Sequence, residues 1–96
     1  MRPSQALRLH RQMVLATVER HAGRNVRVFG SVVRDEDTER SDLDLLLDAL
    51  PGATLFDLGE LQIELEELLG VHVDLVTPGD LPPKIRAQVL AEARQV

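Results

Sequence analysis

The sequence predicts an α/β fold in which helices cover a small three-stranded mixed sheet. Three short segments have the β-branched residues or the polar–apolar alternation that are typical of strands: NVRVFG, DLDLLLD and VHVDLV. Longer segments around them carry apolar residues at the three- and four-residue spacing of helices. The 96 residues contain no repeat and no linker, so we expect one domain with a single modest core.

The first helix is expected from about residue 3 to residue 21, where Ala22-Gly23 would end it. Its apolar residues form two stripes on different sides of the helix. One stripe comprises Ala6, Leu9, Met13 and Ala16, and the other comprises Leu7, Val14 and Val18. A helix that is apolar on two sides is either deeply buried or shared between the core and a partner.

The predicted strands follow this helix in a regular order. The first covers residues 25–30 and ends at a glycine, and a short helical turn over residues 31–37 comes next. The acidic run within residues 35–39 is expected to be a solvated loop. The second and third strands cover residues 42–48 and 71–76. Helices between and after the strands would then pack on the sheet.

Two further helices are indicated by their terminal residues. Thr54 and Asp57 have the spacing of a capping box before a helix that runs to about Leu69, and Gly70 would end this helix. Asp80 is expected to cap the last helix. The positions of that helix expected to be buried are Ile85, Val89 and Ala93.

The composition excludes several classes of function. Eleven basic against 16 acidic residues leave a net charge of −5, and the chain has no Trp, no Tyr and two Phe, so we expect no direct nucleic-acid binding. A small phosphorylated ligand that binds together with a metal ion remains compatible with this negative charge, because the metal ion brings positive charge of its own. No apolar run is long enough to span a membrane, and the absence of cysteine and of an export signal favours a cytoplasmic location.

Three aspartates are placed where their carboxylates would converge. Asp42 and Asp44 alternate along one strand and so share a face, while Leu43 and Leu45 point to the core. Asp74 lies at a similar position on another strand. Clustered anions raise one another's pKa unless a cation is present, and oxygen ligands of this kind suit Mg²⁺. The alternative is a solvated strand face without a metal.

A glycine-serine pair follows the first predicted strand. Without a side chain at Gly30 a ligand can approach closely, and the Ser31 hydroxyl with the following turn can face a phosphate. A plain strand-to-turn glycine is the alternative interpretation of this pair.

Together, these motifs resemble the signature of the DNA polymerase beta-type nucleotidyltransferase superfamily. That signature is Gly-Ser, a spacer of about ten residues and Asp-hydrophobic-Asp, and VFGSVVRDEDTERSDLDLLLD has ten residues between Ser31 and Asp42. Asp74 in VHVDLV matches the later carboxylate of the superfamily. Because the chain has no room for an acceptor-binding domain, it looks like a minimal nucleotidyltransferase, and residues 1–96 would form that domain.

The resemblance implies catalytic and metal-binding roles for the three aspartates. Asp42 and Asp44 would bind two Mg²⁺ ions, and these ions would bind ATP. Asp74 would share one metal ion and help to activate the attacking hydroxyl. His72 is expected on the same strand face as Asp74, with an outer or merely exposed role at the edge of the site.

The resemblance also implies nucleotide-binding roles. Gly30 and Ser31 would hold the β- and γ-phosphates. Arg34, one helical turn beyond Ser31, could reach a phosphate oxygen, or it could be a solvated surface arginine. Ser41 would orient the loop before the aspartates, or it could be an ordinary turn residue.

In the minimal group, the resemblance implies an antitoxin that transfers AMP from ATP to a tyrosine of a helical HEPN-type toxin encoded next to it. The chain has no Tyr, so the acceptor would lie on the partner of a hetero-oligomer, and an apolar stripe of the first helix could contribute to docking. Two alternatives remain open. The chain could neutralise its partner by binding and occlusion alone, or it could modify a small hydroxylated molecule.

Overall fold

The computed structural model describes residues 1–21 and 23–96, in which helices pack on a four-stranded sheet. The helices are α1 (Pro3–Leu9), α2 (Arg11–Arg20), α3 (Leu55–Leu69) and α4 (Pro83–Glu92). The strands are β1 (Gly23–Phe29), β2 (Leu43–Ala49), β3 (Val73–Val76) and β4 (Arg94–Gln95), and single 3-10 turns cover Gly30–Val32 and Pro78–Asp80. None of the helices described combines the length and the apolar character needed to cross a bilayer.

The sheet is mixed, as the sequence predicts, with the strand order β3-β2-β1-β4. β1 is antiparallel to both β2 and β4, whereas β2 and β3 are parallel. Parallel neighbours need a crossover connection, and α3 supplies it. The predicted α/β class is therefore confirmed, but the predicted number of strands is wrong. A two-residue strand such as β4 has too few residues to show a pattern of its own.

One face of the sheet carries the main core. The side chains of α1, α2 and α3 pack there against β1, β2 and β3. The buried members include Leu7, Val14, Val18, Val28, Leu43, Leu45, Leu61, Leu65 and Val73. On the opposite side of β2, Leu46 is also fully buried, because strand residues alternate between the two faces.

The single helix predicted for residues 3–21 is wrong, because α1 and α2 meet at a kink. His10 has φ −110° and ψ 21°, outside helical geometry, although the backbone bonds from His10 to Ala6 and from Val14 to His10 persist. Residue 10 is neither Pro nor Gly, so no local signal marks the kink. The predicted helix end at Ala22 lies outside the described residues.

The two apolar stripes of these helices have different surroundings. Val14 and Val18 are buried in the core, as is Ala6 from the other stripe. Leu9 and Met13 are 65% and 57% exposed, and Ala16 is exposed beside them. The sheet covers only one side of α1 and α2, so most of the first stripe faces away from the core.

Helix α3 is the element that the sequence predicts best. The Thr54 hydroxyl accepts from the Asp57 backbone N–H at 3.2 Å, and the Asp57 carboxylate accepts from the Thr54 N–H at 2.8 Å. This is the predicted capping box. Gly70 ends the helix with φ 68°, a conformation in which a side chain is disfavoured.

Helix α4 differs from its prediction at both ends. Asp80 does not cap it, because its carboxylate accepts from the backbone N–H and hydroxyl of Thr77 and closes the preceding turn. The helix begins at Pro83, where proline loses no helical hydrogen bond. Val89 is buried as predicted, but Ile85 is 47% exposed, and Ala93 is half-buried in extended geometry between the end of α4 and the start of β4.

Candidate active site

The open face of the sheet collects acidic side chains where β2 and β3 begin. Leu43 and Leu45 are fully buried against the helices, which directs Asp44 to the other face and leaves Asp42 at the strand entrance. Asp44 and Asp74 are register partners in the parallel β2–β3 pair. The structure therefore brings Asp42, Asp44 and Asp74 together, although Asp42 and Asp74 are 32 residues apart in sequence.

Asp44 occupies the most unfavourable electrostatic position of the three. Burial raises its pKa first, and the negative charges of Asp74 and Asp42 raise it further, to about 6. A hydrogen bond with Asp74 acts in the same direction, whereas the positive charge of Arg34 opposes it. Asp44 therefore keeps a proton near neutral pH more readily than an isolated aspartate does. A cation among the three carboxylates would stabilise its ionised form.

Gly30 is the residue that lets Asp44 take this position. Its φ of 75° is a conformation that other residues rarely adopt, and a methyl group on its Cα would collide with Asp44 Oδ2 and lie 3.1 Å from its Cγ. The chain then turns through Gly30–Val32, and Ser31, which follows the glycine, is half-buried. Both backbone geometry and close approach require glycine here.

Arg34 is near the site but is held by other residues. Its Nη1 donates to Glu92 Oε1 at 2.9 Å, and its Nε lies 3.4 Å from Glu36 Oε2. The hydrogen bonds to Glu92 and then Glu36 raise the pKa of Arg34 above its usual range. Sequence reasoning missed Glu92, because this contact joins residues 58 positions apart and only the packing of α4 brings them together.

Ser41 has a local role in the loop before Asp42. Its hydroxyl accepts from the Thr38 backbone N–H at 2.8 Å, which closes a turn over residues 38–41. Nearby, Asp37 is buried and not solvated as expected for the acidic run, and its Oδ2 accepts from the Ser4 N–H at 2.9 Å. The loop is thereby attached to the start of α1, where the helix presents free N–H groups.

His72 lies at the edge of the carboxylate group, just before β3. Its Nε2 is 3.3 Å from Asp74 Oδ1, and its Nδ1 is 2.8 Å from Glu66 Oε2. Burial works to lower the pKa of His72, but the carboxylates of Asp42, Asp74 and Glu66 outweigh it and raise that pKa. Glu66 was not anticipated from the sequence. It stands on α3, and its Oε2 also accepts from the Val73 N–H at 3.0 Å.

The donor atoms at this edge are suitable for a divalent cation. Asp42, His72 and Asp74 each offer one ligand atom, and these atoms lie within 4.8 Å of one another. Asp44 adds a further carboxylate beside Asp74. A set dominated by carboxylate oxygens fits Mg²⁺, which keeps several waters and usually binds phosphate at its remaining positions.

The family of the chain is shown by comparison with known proteins. A family model described as "Nucleotidyltransferase domain" matches residues 10–96. "Protein adenylyltransferase MntA" of Thermococcus cleftensis is 45% identical over 74 residues, which cover 77% of this chain and 75% of that protein. "Putative protein adenylyltransferase MJ0435" of Methanocaldococcus jannaschii is 35% identical over 86 residues, which cover 90% of this chain and 92% of that protein.

Solved structures agree with this comparison. One described as a "putative minimal nucleotidyltransferase" is 48% identical and matches with a TM-score of 0.87, over 97% of this chain and 95% of that one. A chain from a toxin-antitoxin crystal structure with AMP-PNP matches with a TM-score of 0.75, over 88% of this chain and 69% of that one. At 21% identity, the second match shows a common fold alone. By its sequence match over residues 10–96 and by these relatives, the chain belongs to the nucleotidyltransferase domain family.

Proposed function

We propose that residues 1–96 form one nucleotidyltransferase domain that transfers AMP from ATP to a hydroxyl of a partner toxin and thereby acts as an antitoxin. The observation that carries this proposal is the convergence of Asp42, Asp44 and Asp74 beside the Gly30 turn. Relatives that are named protein adenylyltransferases support the chemistry. A neighbour in fold that belongs to a toxin-antitoxin complex supports the biological setting.

The three aspartates would hold Mg²⁺, and two ions fit the family chemistry. When bound, Mg²⁺ neutralises triphosphate charge and lowers the pKa of a coordinated hydroxyl. The protein contributes a rigid arrangement, because β2 and β3 fix the carboxylates before the substrate arrives. A bound cation would favour the ionised form of Asp44, whose pKa is otherwise raised.

The residues around the aspartates would receive the nucleotide. Gly30 leaves the space in which the β- and γ-phosphates can approach the turn, and the Ser31 hydroxyl donates to them. Arg34 pairs with a phosphate oxygen after leaving Glu92. Ser41 keeps the turn over residues 38–41 closed, which holds Asp42 at the strand entrance.

The reaction itself is an in-line displacement on the α-phosphorus of ATP. The acceptor oxygen forms a bond to this phosphorus, the bond to the β-phosphate oxygen breaks, and pyrophosphate leaves. The proton of the acceptor hydroxyl moves toward Asp74. Positioning and charge neutralisation account for most of the rate enhancement in phosphoryl-group chemistry of this kind.

The acceptor is proposed to be a tyrosine of a helical HEPN-type toxin encoded next to this chain. The 96 residues contain no Tyr, which is consistent with a tyrosine acceptor on a partner. An apolar surface on the helix side is available for such a partner. It consists of the exposed residues Leu9, Met13 and Ala16, beside a depression of about 380 Å³ between α2 and α3.

Intact-mass measurement of the partner tests this function. We expect added AMP units on the partner after incubation with the chain, ATP and Mg²⁺, and none with the Asp42→Asn/Asp44→Asn variant. Asp48→Asn is the matched control, because Asp48 lies on the same strand but pairs with Arg27 and Asn25 outside the site. An unchanged partner mass in a stable complex would contradict the transferase.

Neutralisation by binding alone is the second candidate, and the exposed surface formed by Leu9, Met13 and Ala16 is the observation that favours it. If occlusion is sufficient, the folded Asp42→Asn/Asp44→Asn variant will protect cells that express the toxin. If transfer is required, this variant will bind the toxin but give no protection.

A further inference from the structure

His72 brings a nitrogen donor to a site that otherwise consists of carboxylates. Its Nε2 lies 3.3 Å from Asp74 Oδ1, and it belongs to the group whose ligand atoms are within 4.8 Å of one another. The signature that this sequence resembles consists of Gly-Ser, Asp-hydrophobic-Asp and a later carboxylate, and it assigns no role to His72. The proposed transfer reaction therefore leaves His72 without a role.

The contacts of His72 orient its ring toward this group. Glu66 Oε2 lies 2.8 Å from Nδ1, and the same oxygen accepts from the Val73 N–H at 3.0 Å, so the glutamate is itself held in place. A carboxylate on one ring nitrogen keeps the proton there and leaves the other nitrogen for a metal. This carboxylate–histidine–metal arrangement is common in metalloproteins.

The spacing and exposure of the group also suit a metal ligand. Ligand atoms at about 2.0–2.2 Å from one metal lie at most about 4.4 Å apart, so atoms within 4.8 Å need only a small side-chain adjustment. The side chains of His72 and Asp74 are 56% and 49% exposed, which allows an ion to enter from solvent. A cation between them would replace the direct Nε2–Asp74 contact.

We propose that His72 is a metal ligand and that the edge formed by Asp42, His72 and Asp74 binds Mn²⁺ more tightly than Mg²⁺. Imidazole is a good ligand for first-row transition metals, whereas Mg²⁺ strongly prefers oxygen. The inference rests on the proposed function in assigning metal binding to Asp42 and Asp74. It adds a nitrogen ligand, which increases the preference for Mn²⁺ over Mg²⁺ beyond that of the carboxylates alone.

Metal titration of the full chain without nucleotide tests the proposal. By calorimetry we expect Mn²⁺ to bind at least about tenfold more tightly than Mg²⁺. His72→Asn should weaken Mn²⁺ binding about 10- to 100-fold and change Mg²⁺ binding less than about twofold. Glu66→Gln should give a smaller loss in the same direction. The matched control is His10→Asn at the α1–α2 kink, which should change neither affinity.

Pulsed electron paramagnetic resonance of the Mn²⁺-loaded chain gives an independent measurement. A ¹⁴N coupling of a directly bound imidazole should be present in the wild type and in His10→Asn and absent in His72→Asn. The proposal is overturned if the wild type shows no such coupling, or if His72→Asn weakens Mn²⁺ and Mg²⁺ binding equally.

These results are separable from the test of the transferase. If AMP transfer occurs with Mg²⁺ and the nitrogen coupling is absent, the role of His72 fails and the proposed function stands. If the coupling is present but the partner never gains AMP with either metal, the transferase fails and the metal ligand stands.

Discussion

The two faces of β2 have opposite chemistry although they share one backbone. On the helix side, Leu43, Leu45 and Leu47 are fully buried among α1, α2 and α3. On the open side, Asp44 lies beside Asp74, and its pKa is raised to about 6 by burial and by neighbouring negative charge. The helix side stabilises the fold along the whole strand. The other side also buries Leu46, but where β2 begins it collects mutually repelling carboxylates. The core thus supplies the rigidity that holds the acidic site together.

The largest expected effect concerns the buried face. Leu45→Ala removes a fully buried side chain, so we expect the free energy of unfolding to fall by about 2–5 kcal/mol. Urea denaturation followed by circular dichroism measures this change. Leu90→Ala in α4 is the control, because Leu90 is 45% exposed and its loss should change stability by less than about 0.5 kcal/mol. Equal losses in the two variants would contradict the assignment of the core.

A change at Gly30 should damage the open face while leaving the core in place. In Gly30→Ala the new methyl group collides with the Asp44 carboxylate, so we expect AMP transfer to fall about 100-fold or more. Intact-mass kinetics measures the transfer. Gly59→Ala is the control, because nothing lies within 4 Å of its added methyl group on α3. It should retain transfer and gain about 0.5–1 kcal/mol of stability. Full activity of Gly30→Ala would show that the carboxylate position is not required.

On the face of β2 that carries Asp44, the free energy of unfolding should depend on pH, whereas the buried leucines of the other face do not titrate. The pKa of Asp44 is raised from 3.8 to about 6, so the folded chain holds this proton more tightly than the unfolded chain. The resulting stability is fully present below about pH 4 and is lost as the pH rises through about 6. At pH 7, Asp44→Asn should therefore be about 1 kcal/mol more stable than the wild type, after discounting for solvent screening.

Urea denaturation of the wild type and Asp44→Asn between pH 4 and pH 8 measures this difference. Since other carboxylates titrate in both proteins, only the difference between their curves reports on Asp44. A difference that does not change over this range would contradict the raised pKa.

The smallest expected effect concerns α4, which packs with one buried side chain, that of Val89. Glu92→Gln removes the carboxylate that holds Arg34, so we expect ATP to bind about two- to fivefold more tightly. Calorimetry with ATP and Mg²⁺ measures the affinity, with Glu67→Gln on the exposed side of α3 as the control. In an Arg34→Gln background the gain should disappear. A gain that persists there would exclude competition for Arg34.

Local signals explain which parts of the fold the sequence predicts. Helix α3 carries its capping box and its terminal glycine within 17 residues, and both act as expected. The kink at His10, by contrast, has no Pro or Gly to mark it. Asp80 was expected to cap α4, but its carboxylate instead closes the preceding turn by accepting from the Thr77 N–H. In both places more than one local structure was compatible with the residues.

The candidate site likewise contains some features that the sequence predicts and others that only the packing of the chain produces. By itself, the sequence determined that Asp42 and Asp44 share a strand face, because side chains alternate along a strand, and that a glycine precedes them. Only the tertiary structure decided that Glu66 orients His72, that Glu92 holds Arg34 and that Asp37 is buried against α1. Alternation and capping depend on neighbours within a few residues. Contacts between distant segments depend on how the helices pack around the sheet, and no short pattern encodes that packing.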